Sequence, residues 1–131
     1  MEISIRGARS ADAPGVASRL THLGYRSSSV AADGQRVAGV LAFHAIPFLE
    51  HAGRRGRVVC LVIDEACRGQ GLGARLMAAA EVEARRLGCT DIEVTSSRAR
   101  AEAHAFYRRM GYHDGCDRSA RFLRPLPQDR A

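Results

Sequence analysis

The stretch that most limits what this chain can become lies near its middle. Every residue from Val58 to Ile63 is apolar, and shortly afterwards comes Arg68-Gly69-Gln70-Gly71-Leu72-Gly73-Ala74, which runs into a helical periodicity. A short apolar run of this kind is expected to be a strand covered on both faces, at the centre of a sheet. Three alternating glycines beside Arg68 then exceed what a strand-to-helix turn requires. Glycine lets main chain approach a ligand closely, successive amides point outward, and the first helical turn offers unpaired N–H groups with a partial positive charge. An anion is the expected guest, and a pyrophosphate fits.

The rest of the pattern builds a mixed α+β layer structure around that unit. Residues 2–6 alternate and read as a strand, and Ser10, Asp12 and Pro14 open a helix with Val16, Leu20 and Leu23 on one side, ended by Gly24. A weak strand from Ser27 to Ala32, the turn Asp33-Gly34 and a strand from Arg36 to about Phe48 follow. A second hairpin turns through 51–56 into a strand over 57–63, which makes Arg54, Arg55 and Arg57, the densest basic group, charges on a loop. The helix at 72–87 lines up Leu72, Leu76, Ala80, Ala84 and Leu87, keeps Glu81, Glu83, Arg85 and Arg86 largely outside, and stops at Gly88. A strand at 91–95, parallel to the central one, is reached by this crossover. A helix over 100–110 turns Ala103, Phe106 and Met110 inward, and Tyr112 to Leu123 supply one or two closing strands before a Pro-rich tail at 125–131.

Composition removes several functions. With 131 residues the chain suits one domain over 1–131, and its apolar runs are far below the roughly 20 residues that a bilayer crossing needs. The start, MEISIRGARS, has no apolar core of a secretory signal, so a cytoplasmic protein is expected. Cys60, Cys67, Cys89 and Cys116 fit no C-x-x-C spacing, and no metal is expected. All 20 basic residues are arginine, which excludes a Walker or Schiff-base lysine. A net charge of +6 favours an anionic partner, either nucleic acid or a polyphosphate cofactor. Three tyrosines, four phenylalanines and no tryptophan leave few stacking platforms, and the arginines are scattered, which disfavours nucleic acid. A dinucleotide fingerprint also matches, as Gly69-x-Gly71-x-x-Ala74 with Asp91 downstream, but such a domain opens with that unit, whereas here strand pairs precede it.

The Arg68-x-x-Gly71-x-Gly73 pattern after Leu61-Val62-Ile63, with Ala103-His104-Ala105-Phe106-Tyr107 and Gly111-Tyr112 downstream, resembles the acetyl-CoA-dependent N-acetyltransferases of the GNAT superfamily. The resemblance covers roughly residues 36–123. It implies a GNAT-like, mostly antiparallel sheet splayed at strands 4 and 5, flanked by about three helices. It implies that the main chain of Leu61, Val62 and Ile63 bonds pantetheine like an added strand, while Arg68, Gly69, Gln70, Gly71, Leu72, Gly73 and Ala74 hold the pyrophosphate. Unpaired buried amides are costly, so a splayed strand needs such partners. The family's second N-terminal helix is missing here, since Leu23 to Arg36 leaves room only for a helix end, a strand and a turn. The acceptor side is then open, or completed by a second subunit in a homodimer.

Acetyl transfer from a thioester to a primary amine requires a neutral amine, and an ammonium of pKa about 8 to 10.4 must first lose a proton. Glu93 occupies the place of a carboxylate given this role in the ribosomal-protein alanine acetyltransferases; His44, on the third strand, and water are the alternatives. Tyr107 stands where the family places the proton donor to the departing thiolate, and Arg100 and Arg109 are candidates for phosphate contact. The competing readings are a non-catalytic acyl-CoA-binding module or partner subunit and, more remotely, a basic nucleic-acid-binding protein.

Overall fold

The computed structural model describes residues 2–7, 9, 29–34, 36–96, 100–116 and 121–128. They belong to two compact units, Met1–Thr95 and Ser96–Ala131. The helix expected between Ser10 and Gly24 lies outside the described residues, as do residues 23–28 and 35 of the interval from Leu23 to Arg36, which is too short for the family's second helix.

The first unit is a five-stranded sheet in the order β1-β2-β3-β4-β5, formed by Ser4–Gly7, Ser29–Asp33, Arg36–Pro47, Arg54–Ile63 and Cys89–Val94. The first three pairings are antiparallel and β4 to β5 is parallel, the mixed sheet that the sequence predicts. Among the described residues the helix α1 spans Leu72–Arg86 and forms the crossover. It buries Leu72, Leu76, Met77, Ala80 and Ala84; Met77 widens the expected stripe. Two glycines seat it against the sheet. A Cβ on Gly56 would lie 2.8 Å from the Phe43 ring and 3.5 Å from Ala84 Cβ, and one on Gly39 would lie 2.7 Å from Ile63 Cδ1 and 3.2 Å from Leu76 Cδ1.

Two expectations about the central strand are corrected. The arginines at 54, 55 and 57 are not loop residues: the turn comes earlier, closed by Phe48 N–H donating to Gly53 O at 3.1 Å, and β4 begins at Arg54. The parallel register sets Arg55 opposite Asp91 and Arg57 opposite Glu93, so two of the three charges that suggest a loop are compensated across the ladder. Nor is 58–63 covered on both faces, since Val59 is 46% and Val62 59% exposed. Between the pairs Ala42↔Cys60 and Phe43↔Val58, Val59 faces no residue, a bulge that rotates the strand. The strand buried on both sides is β3, where Ala38, Val40, Leu41, Ala42 and Phe43 are all in the core beside Val30, Ala31 and Ala32 of β2.

In the second unit, α2 spans Ala101–Arg109. Ala103, His104, Phe106, Tyr107 and Met110 are its half-covered positions, the stripe expected from the sequence with His104 and Tyr107 at its border. Gly111, at φ +94°, ends the helix. Its N–H donates to Arg108 O and that of Tyr112 to Tyr107 O, both at 3.0 Å, which closes the last carbonyls in a Schellman arrangement. Residues 112–116 and 121–128 do not form the closing strands expected there; 117–120 lie outside the described residues. Asp114 instead turns the chain by accepting from Cys116 N–H at 3.0 Å, and Pro125 and Pro127 remove ladder donors downstream. Among the described residues no helix is long and apolar enough to cross a membrane.

Candidate functional site

The ladder between β4 and β5 stops early. It runs from Arg54↔Cys89 to Val58↔Val94, whereas β4 continues to Ile63. Cys60, Leu61, Val62 and Ile63 remain paired to β3 through Ala42, Leu41, Val40 and Gly39. On the opposite edge their main chain has no strand beside it among the described residues. The splay expected from the sequence is therefore present, with Leu61, Val62 and Ile63 along its open side.

At the end of β4 the chain is redirected by local bonds. Asp64 N–H donates to Ala38 O at 2.8 Å, and the Asp64 carboxylate accepts from Ala66 N–H at 3.3 Å, capping the short 3-10 turn Glu65–Cys67. Cys67 and Leu72 are both buried, so the loop is pinned by one side chain before it and one after it. Between them Arg68, Gly69, Gln70 and Gly71 are exposed. Leu72 thus has a packing role for its side chain, and only its main chain is available to a ligand. Gly69 and Gly71 adopt φ of +80° and +74°. Gly71 is the N-cap of α1 and supplies no side chain to its first turn; the first helical bond is Arg75 N–H to Gly71 O at 3.1 Å.

A Cβ placed on Gly69 or Gly71 would meet nothing within 4 Å. The loop rim is open, and the left-handed backbone is what demands glycine there. Bare amides at a helix mouth, an exposed arginine, and an unaccompanied strand edge leading up to them match the donor set that a diphosphate with an amide-bearing arm requires. The residues present fit acetyl-CoA.

Glu93 lies on β5, one position before the last β4–β5 pair, with its carboxylate on the Arg57 guanidinium at 2.7 Å. His44 is opposite Arg57 on the other side of β4, so His44, Arg57 and Glu93 form a row across three strands where the sheet begins to open. Two residues away, Arg55 donates to both oxygens of Asp91, at 2.8 and 2.9 Å. That hydrogen-bonded pair holds the Asp91 carboxyl below the usual carboxylate range and raises the Arg55 guanidinium, burial opposing both. Sequence reasoning missed both arginine partners, although Arg55-x-Arg57 and Asp91-x-Glu93 share the period that places alternate residues on one strand face.

Tyr107 belongs to the second unit, on the last turn of α2. Its ring lies 5.1 Å from that of Phe106 and 6.0 Å from that of Tyr112, centroid to centroid. Burial pushes its phenol above the usual tyrosine value, with Arg100 opposing in part, so the hydroxyl stays protonated through neutral pH. Arg100 is the N-cap residue of the same helix, and Arg109 is exposed at its end. The four cysteines are free, and burial pushes the Cys89 thiol up, away from the reactive thiolate. A shallow depression lined by Glu81, Arg85, Thr90 and Ile92 lies toward the other end of α1 from Gly71.

The sequence model of the acetyltransferase (GNAT) family matches residues 9–112. An aminoalkylphosphonate N-acetyltransferase of Salmonella typhimurium is 40% identical over 76 residues, 58% of this chain and 49% of that protein, so the chain spans about half the length of the curated relative it matches. Among solved structures, an aminoglycoside acetyltransferase from an uncultured soil metagenomic sample, in complex with sisomicin, aligns with a TM-score of 0.77 at 15% identity, over 95% of this chain and 97% of that one. A ribosomal-protein-alanine N-acetyltransferase from Brucella melitensis aligns with a TM-score of 0.74 at 18% identity, over 95% and 99%. At these identities the structural likeness is one of fold.

Proposed function

Since the chain belongs to the acetyltransferase (GNAT) family, we propose that it is an acetyl-CoA-dependent N-acetyltransferase that moves an acetyl group to a primary amine by direct attack, with residues 1–131 acting as one acyl-CoA N-acyltransferase domain. The observation that carries this reading is the open edge of β4 running into a glycine N-cap that has no side-chain cap hydrogen bond.

Bound acetyl-CoA would supply the activated acyl carbon. The chain's residues do the rest. Main-chain groups of Leu61, Val62 and Ile63 would pair with the amides of the pantetheine arm. Amides from Gly69 to Ala74, with Arg68 and Gln70, would hold the diphosphate, and the helix mouth would add favourable charge. Glu93 takes a proton from the acceptor ammonium, and Tyr107, kept neutral by burial, gives one to the departing sulfur. A cytoplasmic location is part of this reading, and there the four cysteines would stay reduced.

The first acceptor to test is an aminoalkylphosphonate. The 40% identical relative carries that name, and a small anionic amine suits a chain with net charge +6. The experiment is release of free CoA thiol from acetyl-CoA across a panel of amines, followed by mass spectrometry of the product. Acetylated amine formed in step with thiol is the expected result. Saturable CoA binding with no turnover on any amine would overturn it in favour of a CoA-binding module.

A further inference from the structure

Two arginine–carboxylate rungs join β4 to β5 on the same sheet face, and they are built differently. In the Arg55–Asp91 rung, Nε donates to one carboxylate oxygen and Nη2 to the other, so both oxygens are engaged. In the next rung, Nε and Nη2 of Arg57 both reach the same atom, Glu93 Oε1, each at 2.7 Å. Glu93 Oε2 has no polar partner among the described residues and keeps its lone pairs. This second rung is also the one nearest the opening: only Val58↔Val94 follows it before β4 runs on without β5.

Resting on the reading of Glu93 as the base, we infer that Arg57 is a positioning residue, which pins Glu93 through Oε1 so that Oε2 is the atom that accepts the proton of the acceptor. The step balances as one proton transfer. An N–H bond of the acceptor ammonium breaks, an O–H bond forms at Oε2, and the nitrogen retains its electron pair for attack on the acyl carbon. The carboxylic acid later returns its proton to solvent. Asp91, clasped at both oxygens, is suited to holding the strands together and not to this task.

The test is a double-mutant cycle on kcat at saturating acetyl-CoA, with CoA affinity measured by calorimetry as the control for folding. Glu93→Gln should lose about a hundredfold, the scale of general-base catalysis. Arg57→Gln should lose about tenfold through misplacement of the carboxylate, and Arg57→Lys should recover part of that by keeping one contact with Oε1. Because Arg57 acts only through Glu93, the double variant should be no slower than Glu93→Gln within about twofold. Arg55→Gln, on the other rung, should leave kcat within about twofold. A double variant that multiplies the two losses, or full turnover in Arg57→Gln, overturns the proposal while leaving Glu93 as base. Full turnover in Glu93→Gln alone overturns the base reading itself, and the proposal with it. Should Arg57→Gln lose CoA affinity, Arg57→Lys carries the cycle in its place.

Discussion

The glycines of this protein divide by what each one avoids. Gly56 and Gly39 have no space for a Cβ, whereas Gly69 and Gly71 have ample space and an unfavourable φ. Gly71→Val therefore tests backbone geometry. Forcing a left-handed φ on an L-residue costs about 1–2 kcal/mol, and the alternative, a relaxed loop, re-aims the amides at the helix mouth. CoA affinity should fall on the order of tenfold or more, equivalent to losing one charge-assisted hydrogen bond; unchanged affinity by calorimetry would remove the loop from the site. Tyr107→Phe deletes the hydroxyl but not the ring packing with Phe106 and Tyr112. It should cost about a hundredfold in kcat with CoA affinity retained. Since burial raises this phenol, the wild-type rate should hold through the usual tyrosine range and fall only above it, a limb absent from the variant. Asp91 has the opposite sign. Its folded-state carboxyl is depressed, so its contribution is present above the unfolded carboxylate value and is lost as pH falls below it. Asp91→Asn should flatten the acid side of a stability–pH curve, by little, because the pair is solvent-exposed.

At the scale of elements, α1 could be read closely from its stripe, and its expected end at Gly88 holds, with φ +80° there. Strand limits were harder to read. The apolar run Val58 to Ile63 gave the identity of β4 but not its start, because two of the three arginines that suggest a loop, Arg55 and Arg57, are stabilised by carboxylates 36 residues away. Period-2 spacing on both strands contains that information, but parallel register is set by the crossover and cannot be counted along one strand. The same long-range dependence hides why β3, and not β4, is buried on both faces. Gly56 provides the test at this scale. Alanine there would meet the buried Phe43 ring at 2.8 Å, a rigid neighbour with no free end to swing away. Gly56→Ala should lower stability by about 1–3 kcal/mol, the usual cost of overpacking. An unchanged denaturation midpoint would mean that the Phe43 ring does not pack over Gly56 as described.

For the whole molecule, the excess of arginine acts at long range. A net charge of +6 should draw a polyphosphate cofactor by a field that salt screens. The apparent KM for acetyl-CoA should rise between low and high salt while kcat at saturation stays nearly constant, and a salt-independent KM would assign binding to the loop amides alone. The family, the glycine loop with its left-handed backbone and the mixed sheet were all legible in the sequence, because each depends on contiguous residues: an apolar run, a glycine spacing, a helical stripe; the splay came with the family resemblance. Tertiary structure alone decided which charges meet. That Arg57 holds Glu93 by a single oxygen while Arg55 clasps Asp91 by two, and that β4 loses its neighbour after Val58, follow from the register of strands distant in the chain. Local sequence encodes periodicity and backbone freedom; the pairing of distant groups is chosen by the fold that satisfies all of those local preferences together.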